Sequence, residues 1–326
     1  MRHLLIAGLL LLPTSYIYAG NPSGGLGYND PSNARSSPLA HKTWIHGAAD
    51  CKSNTDPAIE VYQHDHSSYI LRQNKCLHFE APFIYLLIGD KTALVLDTGA
   101  TKSAAEFPLY DTVRALIRER SEHDEGAVPN ILVIHSHSHG DHHRGDSQFT
   151  DKPHVTLVAP KHAAMTEFFA FSEWPDGEAS IELGGRELTI LPSPGHQEDA
   201  ISVYDPQTQW LLTGDTFYPG YIYVKHWEEY KQSISRLAAF ATTHEISAVL
   251  GAHIEMSDQA GEYYPIGTVY QPDEAPLALT ADNLASLNVA LKQADKPQTI
   301  TRDEFIVAPM GAAQKFLSNF VRWLTQ

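Results

Sequence analysis

The chain has 326 residues, is 43% hydrophobic and carries 15 Tyr, 12 Phe and 5 Trp. That composition supports a large packed core and excludes an intrinsically disordered chain; the length allows one large domain or two. The formal charge of −16 argues against nucleic acid or an anionic membrane surface as a partner.

Residues 1–19 read as a targeting segment. Arg2 and His3 give a basic start, residues 4–12 are apolar but too short to span a bilayer, and Ala19 is a small residue at a cleavage point before Gly20. The expectation is a cleaved secretory signal peptide, with an uncleaved anchor as the alternative. The mature protein is then periplasmic or secreted, with no membrane association after cleavage. Residues 20–57, rich in Gly, Ser, Asn and Pro in their first part, read as an extended N-terminal segment. Cys51 and Cys76 are the only cysteines. An even count in an oxidising compartment suggests one disulfide bond, with two buried free thiols as the alternative.

Strand character begins at Ile59-Glu60-Val61-Tyr62 and returns at Tyr69-Ile70-Leu71. Residues 83–88 and 93–96 flank a turn at Gly89-Asp90-Lys91 and predict a hairpin, which Asp97-Thr98-Gly99 ends. Residues 104–120 have helical periodicity, although Pro108 places the regular start near itself. The strand Ile131-Leu132-Val133-Ile134 runs into a polar loop. Beyond it the pattern predicts a strand over 155–158, a helix over 161–171, strands over 188–191, 200–204 and 210–212, a helix over 227–241 and a strand over 246–250. Two further helices are predicted over 281–294 and 312–324. No internal repeat is visible.

The loop after Ile134 is His135-Ser136-His137-Ser138-His139-Gly140-Asp141-His142-His143, which holds five of the 18 histidines. Imidazole and carboxylate suit borderline divalent metals such as zinc; a solvated metal-scavenging tract is the bland alternative. The spacing His-x-His-x-Asp-His fits only the register that starts at His137. Asp97, His137, Asp215 and His253 each stand at or just past the C-terminal end of an apolar strand, so they can converge at one sheet edge. His196 follows the turn Ser193-Pro194-Gly195.

Leu96-Asp97-Thr98-Gly99, His137-x-His139-x-Asp141-His142, Gly195-His196, Gly214-Asp215-Thr216 and Ala252-His253, in that order, resemble the metallo-β-lactamase superfamily over residues 80–255. The resemblance implies an α+β fold, the four-layer αββα sandwich, as a single domain over 58–326 with a C-terminal helical extension. It implies His137, His139 and His196 at one metal, Asp141, His142 and His253 at a second, Asp215 bridging both, and Asp97 supporting the loop through hydrogen bonds. Two Zn2+ ions are implied, with Fe or Mn compatible with the bridging carboxylate. A hydroxide shared by the two ions would attack a carbonyl or phosphoryl centre of a small-molecule substrate.

Zinc β-lactamases of this superfamily usually carry Cys or Ser where Asp215 stands; Asp is similar to members that cleave thioesters, lactones and phosphoesters. Tyr218, three residues after Asp215, resembles in its spacing a substrate-binding Tyr of acyl-homoserine lactonases and is a candidate oxyanion donor, with plain packing as the alternative. The reading is a dinuclear zinc hydrolase of an ester, lactone or related acyl bond. The alternatives are a β-lactam hydrolase, a phosphoesterase and a non-catalytic zinc-binding protein. Glyoxalase II is less attractive for a secreted protein, and RNA-processing and flavodiiron members need parts not visible here. Lys225 and Arg144 read as solvated charge, with an anion-binding role as the alternative. Glu255 stands between a supporting and a surface role, His135 and His143 read as structural, and His64 and His66 match no family position. Oligomeric state is not legible in the sequence.

Overall fold

The structure is a computed structural model that describes residues 38–315. The signal peptide expected over 1–19 lies outside the described residues, as does most of the helix expected over 312–324.

Two six-stranded sheets form the body. The first runs in the order β1 (Ile59–Asp65), β2 (Ser68–Gln73), β3 (Phe83–Ile88), β4 (Thr92–Leu96), β5 (Asn130–Ile134), β6 (Val155–Leu157). The second runs β13 (Ala278–Leu279), β12 (Ala248–Gly251), β10 (Trp210–Gly214), β9 (Ile201–Asp205), β8 (Glu187–Pro192), β7 (Ala179–Glu182). Their central strands are buried nearly throughout because both faces are covered, whereas the edge strands β1, β6 and β7 are partly exposed. Successive side chains point to opposite faces. Phe83, Tyr85 and Leu87 therefore face the second sheet, meeting Val203, Trp210 and Leu212 in one cluster. Ile84, Leu86 and Ile88 turn outward and pack with Val113 and Ile117 of α1 (Leu109–His123). On the far side, Leu211 and Val249 pack under Trp227, Tyr230 and Ile234 of α4 (Trp227–Phe240) and under Leu284 and Leu287 of α5 (Ala281–Gln293). The layers are helix, sheet, sheet, helix.

Two short helices, α2 (Gly140–His143) and α3 (His162–Phe168), complete the set. A small third sheet joins β11 (Tyr221–Val224), β15 (Ile306–Pro309) and β14 (Ile300–Thr301). The helix expected from residue 104 begins at Leu109 with Pro108 at its cap, since proline fits only the first turn. The histidine loop is not wholly irregular: α2 and a 3-10 turn (Arg144–Gln148) run through it. The residues between 38 and 57 are not a free arm either, because Leu39 and Trp44 are buried in the inter-sheet cluster. Cys51 and Cys76 form the expected disulfide, closing a loop of 25 residues; such a closure stabilises by about 3 kcal/mol.

The pairings β4–β5 and β10–β12 are parallel. Their C-terminal ends therefore open at the same edges, and the histidine and aspartate loops leave from there.

Candidate metal centre

The candidate ligands and their supporting Asp97 all lie past the ends of buried strands. Asp97 follows β4 with φ of 72°, a left-handed conformation that Asp tolerates better than most residues. His137 and His139 follow β5, and Asp141 and His142 lie on α2. His196 follows β8 through Gly195, whose φ is 145° and whose Cβ, if it had one, would lie 2.5 Å from the Tyr230 Cα. Asp215 follows Gly214, where a Cβ would meet Ser136 Cβ at 2.6 Å. His253 comes two residues after β12.

These residues form two groups: His137, His139, His196 and Asp215, and Asp141, His142 and His253. Within each group the ligand atoms lie within 4.8 Å of one another. Asp215 connects them. Its Oδ2 is 3.6 Å from His137 Nε2 and 3.5 Å from His196 Nε2, while its Oδ1 is 3.4 Å from His142 Nε2 and 3.3 Å from His253 Nε2. Asp141 Oδ2 lies 3.2 Å from His142 Nε2 and 3.3 Å from His253 Nε2.

The outer nitrogen of each imidazole is held. His142 Nδ1–H donates to Asp97 Oδ2 at 2.9 Å, His196 Nδ1–H to the Tyr223 carbonyl at 2.8 Å, and His253 Nδ1–H to the Glu80 carbonyl at 3.0 Å. Ser136 Oγ donates to Asp97 Oδ2 at 2.8 Å and so can accept from His137 Nδ1 at 3.2 Å. Acceptors of this kind put the proton on the outer nitrogen and leave the inner lone pair free. His139 is turned the other way, with Nδ1 inward, 3.0 Å from His196 Nε2, and Nε2 against the Gln197 amide. His137 Nε2, His142 Nε2 and Asp215 Oδ1 are buried without a hydrogen-bond partner. Leaving such atoms unmet costs about 1–3 kcal/mol each. A convergent set of imidazole and carboxylate donors with inward lone pairs fits a divalent cation.

The electrostatics differ between the groups. In the metal-free protein, burial alone would lower His142 and His253, yet Asp141 and Asp215 hold both well above the ordinary imidazole value, so a cation bound there displaces a proton from each. Burial likewise opposes ionisation of Asp141 and Asp215, and the same histidines hold both well below the usual carboxylate range. In the other group, burial and the neighbouring His196 push His139 down to about 3. Neutral imidazole is the ligating form.

Other residues singled out in the sequence fall as follows. The Tyr218 ring lies edge-on to His253 with centroids 5.6 Å apart, and its hydroxyl is 3.2 Å from both the Tyr221 carbonyl and Glu255 Oε2. Glu255 also accepts from Tyr221 N at 2.9 Å, so it supports the site and is not a solvated surface charge. Arg144 is exposed. Lys225 is not solvated, contrary to the sequence expectation: it is 4% exposed, and Nζ donates to Gln197 Oε1 at 3.2 Å and Glu198 Oε2 at 3.0 Å, linking it through Gln197 to His139. His135 pairs with Asp146 Oδ1 at 2.9 Å, and that atom also accepts from Thr98 Oγ1. The ring centroid of His64 is 4.6 Å from that of Trp210. Sequence reasoning missed Ser136, Gln197, and the Glu80 and Tyr223 carbonyls. The carbonyls carry no side-chain signature at all.

Residues 79–298, more than half of the chain, match the family model described as the metallo-beta-lactamase superfamily. The chain belongs to that superfamily. Among curated relatives, it is 28% identical over 168 residues to the acyl-coenzyme A thioesterase MBLAC2 of Bos taurus, covering 42% of this chain and 58% of that protein. It is 31% identical over 121 residues to the hydroxyacylglutathione hydrolase of Rhodopseudomonas palustris, covering 37% and 44%. The chain thus spans less than two thirds of these relatives' lengths. A solved metallo-beta-lactamase from Pontibacter korlensis superposes with a TM-score of 0.45 at 16% identity, covering 72% of this chain and all of that one.

Proposed function

We propose that the protein is a metal-dependent hydrolase of acyl bonds, and that its substrate is a small thioester, ester or lactone. The observation that carries the reading is the division of Asp215, with Oδ2 toward His137 and His196 and Oδ1 toward His142 and His253. One carboxylate placed between two donor groups suits a pair of cations, three imidazoles at one and Asp141, His142 and His253 at the other. The imidazole-rich, thiol-free donor set favours zinc, with iron or manganese as the alternatives. When bound, two such ions supply a hydroxide at neutral pH and a Lewis acid for the acyl oxygen.

The chain's own residues do the positioning. Asp97 and the Glu80 and Tyr223 carbonyls aim three imidazoles inward, and Ser136 aims a fourth. Tyr218, beside His253, is assigned as donor to the oxygen of the substrate; to reach it the hydroxyl has to leave Tyr221 and Glu255. The thioester is placed first because the curated relatives named above act, by their names, on acyl-coenzyme A and hydroxyacylglutathione, and both are thioesters. A secreted location makes the second of these activities less attractive. That location stays a proposal resting on residues 1–19, and it bears on which thioester is met, not on the bond cleaved.

The test is metal analysis with a substrate panel. Zinc-loaded protein is expected to hold two ions per chain and to turn over a thioester, an aryl ester or a lactone in a chelator-sensitive manner. Asp141→Ala is expected to abolish turnover and retain the fold. Tight zinc without turnover of any acyl substrate would sink the reading, as would faster cleavage of nitrocefin or bis-p-nitrophenyl phosphate.

A further inference from the structure

The inward nitrogens of the metal centre are not alike. His137 Nε2 and His142 Nε2 have no hydrogen-bond partner. His139 and His196 instead meet each other, Nδ1 of His139 lying 3.0 Å from Nε2 of His196. Which of these two rings donates is decided further out, at Lys225.

Lys225 directly follows β11 and is brought to the site by backbone. Lys225 N and His226 N donate to the Gly195 carbonyl at 3.0 and 2.8 Å, and Gly195 N donates to the Gln197 carbonyl at 3.0 Å. Lys225 and Gln197 are thereby enclosed together, 4% and 0% exposed. An ammonium only donates. Its 3.2 Å contact with Gln197 therefore falls on the amide oxygen, and the amide nitrogen faces His139 Nε2. The amide nitrogen also only donates. His139 Nε2 must then offer a lone pair, which leaves the proton of the neutral ring on Nδ1. His196 Nδ1–H donates to the Tyr223 carbonyl at 2.8 Å, so His196 Nε2 carries a lone pair and accepts from His139 Nδ1–H. Hydrogen bonds thus run in one direction, from the Lys225 ammonium through Gln197, His139 and His196 to the Tyr223 carbonyl.

That direction is the wrong one for a metal. Nδ1 is the nitrogen that His139 turns toward the other donors of its group, and a ligating nitrogen has to be unprotonated. To free it, the ring has to lose its proton at Nδ1 and take one up from water at Nε2, with no net change. The new Nε2–H then needs an acceptor. The Gln197 amide supplies one only by turning its oxygen from Lys225 to His139, and Lys225 then keeps Glu198 Oε2, 3.0 Å away, as its partner.

We propose that Lys225 opposes metal binding by His139: through Gln197 it holds the ring in the tautomer that cannot ligate, so that Lys225 and His139 compete for one amide oxygen. Lys225 is thus a positioning residue that sets how tightly His137, His139, His196 and Asp215 hold their ion. The inference rests on the metal-dependent part of the proposed function and is independent of the substrate.

Two measurements on the full-length protein test it. The first is zinc affinity, from competition of chelator-treated protein with a chromophoric chelator. Lys225→Met keeps a long side chain and removes the donor. It is expected to bind one of two zinc ions about tenfold more tightly, the worth of one hydrogen bond to a charged group. Gln197→Glu, which offers an oxygen to each neighbour, is expected to do the same, and Lys225→Arg to stay near the wild type. A lysine that only braces the loop predicts the opposite sign, since its removal would loosen His139 and weaken zinc binding. The second is the His139 ring in long-range proton–nitrogen correlation spectra of metal-free protein, assigned by its loss in His139→Asn. The proton is expected on Nδ1 in the wild type and on Nε2 in Gln197→Glu. Unchanged or weaker zinc binding in Lys225→Met, or a proton on Nε2 in the wild type, would overturn the proposal and leave the metal-dependent reading intact. Wild-type protein that binds no zinc would remove that reading and the proposal with it.

Discussion

Asp97 Oδ2 lies 2.9 Å from His142 Nδ1, across 45 residues of sequence. The same carboxylate accepts from Ser136 N at 2.7 Å and from Ser136 Oγ at 2.8 Å. One side chain at the end of β4 thus sets the orientation of an imidazole on α2 and the start of the histidine loop after β5. The left-handed backbone at Asp97 is held in place by the hydrogen bonds that converge there.

Replacing Asp97 by Asn keeps the shape but sets an amide N–H or a weaker acceptor against His142. Zinc affinity is expected to fall about 10–100-fold, read by competition with a chromophoric chelator. An unchanged affinity would confine Asp97 to a role in loop folding.

Tyr218→Phe removes one hydroxyl and leaves its two acceptors in place. As oxyanion donor its loss should lower kcat/KM roughly a hundredfold, with a stability change of only about 1 kcal/mol. Unchanged kcat/KM in steady-state assays would remove Tyr218 from the mechanism.

In metal-free protein, burial and the adjacent Asp141 carboxylate push Glu80 from its ordinary 4.5 up to about 7. A raised folded-state value means that the folded protein keeps a proton the unfolded chain has lost between these two pH values. The stability from this source is complete below about pH 4.5 and is lost as pH rises through about 7. Urea titrations of chelator-treated wild type and Glu80→Gln should therefore diverge from pH 4.5 to 7, with the wild type losing ground, and run parallel above. A constant gap across that window would refute the assignment to Glu80.

Arg186 and Asp205 are buried partners on adjoining parts of the second sheet, with Nε to Oδ1 at 3.0 Å. Arg186 also donates to the Ser67 carbonyl and to Ser68 Oγ of the first sheet, each at 2.9 Å. Asp205→Ala leaves a buried guanidinium without its carboxylate and should cost about 3–5 kcal/mol. Denaturant unfolding measures this, and a loss under 1 kcal/mol would show that water or a neighbouring group replaces the partner.

The central strands of both sheets were legible because they are buried on both faces, which leaves near-continuous apolar runs such as residues 83–88 and 210–212. β7 and β11 were not read as strands. β7 is half-exposed, and β11 carries tyrosines at the positions turned away from the core, so neither shows a plain apolar run. Lys225 was misjudged for a related reason. A lysine has no local signal that distinguishes a solvated amine from one enclosed by Gln197 and Glu198.

The sequence by itself determined the identity and order of the candidate ligands. Ligand chemistry resides in side-chain type, and the spacing from His137 to His142 puts four of them on one short loop. Tertiary structure alone decided how Asp215 divides its oxygens, which nitrogen of each imidazole turns inward, and that Lys225 is enclosed beside Gln197 and Glu198. Those relations depend on backbone carbonyls and on contacts between residues far apart in the chain, and neither leaves a trace in local composition or periodicity.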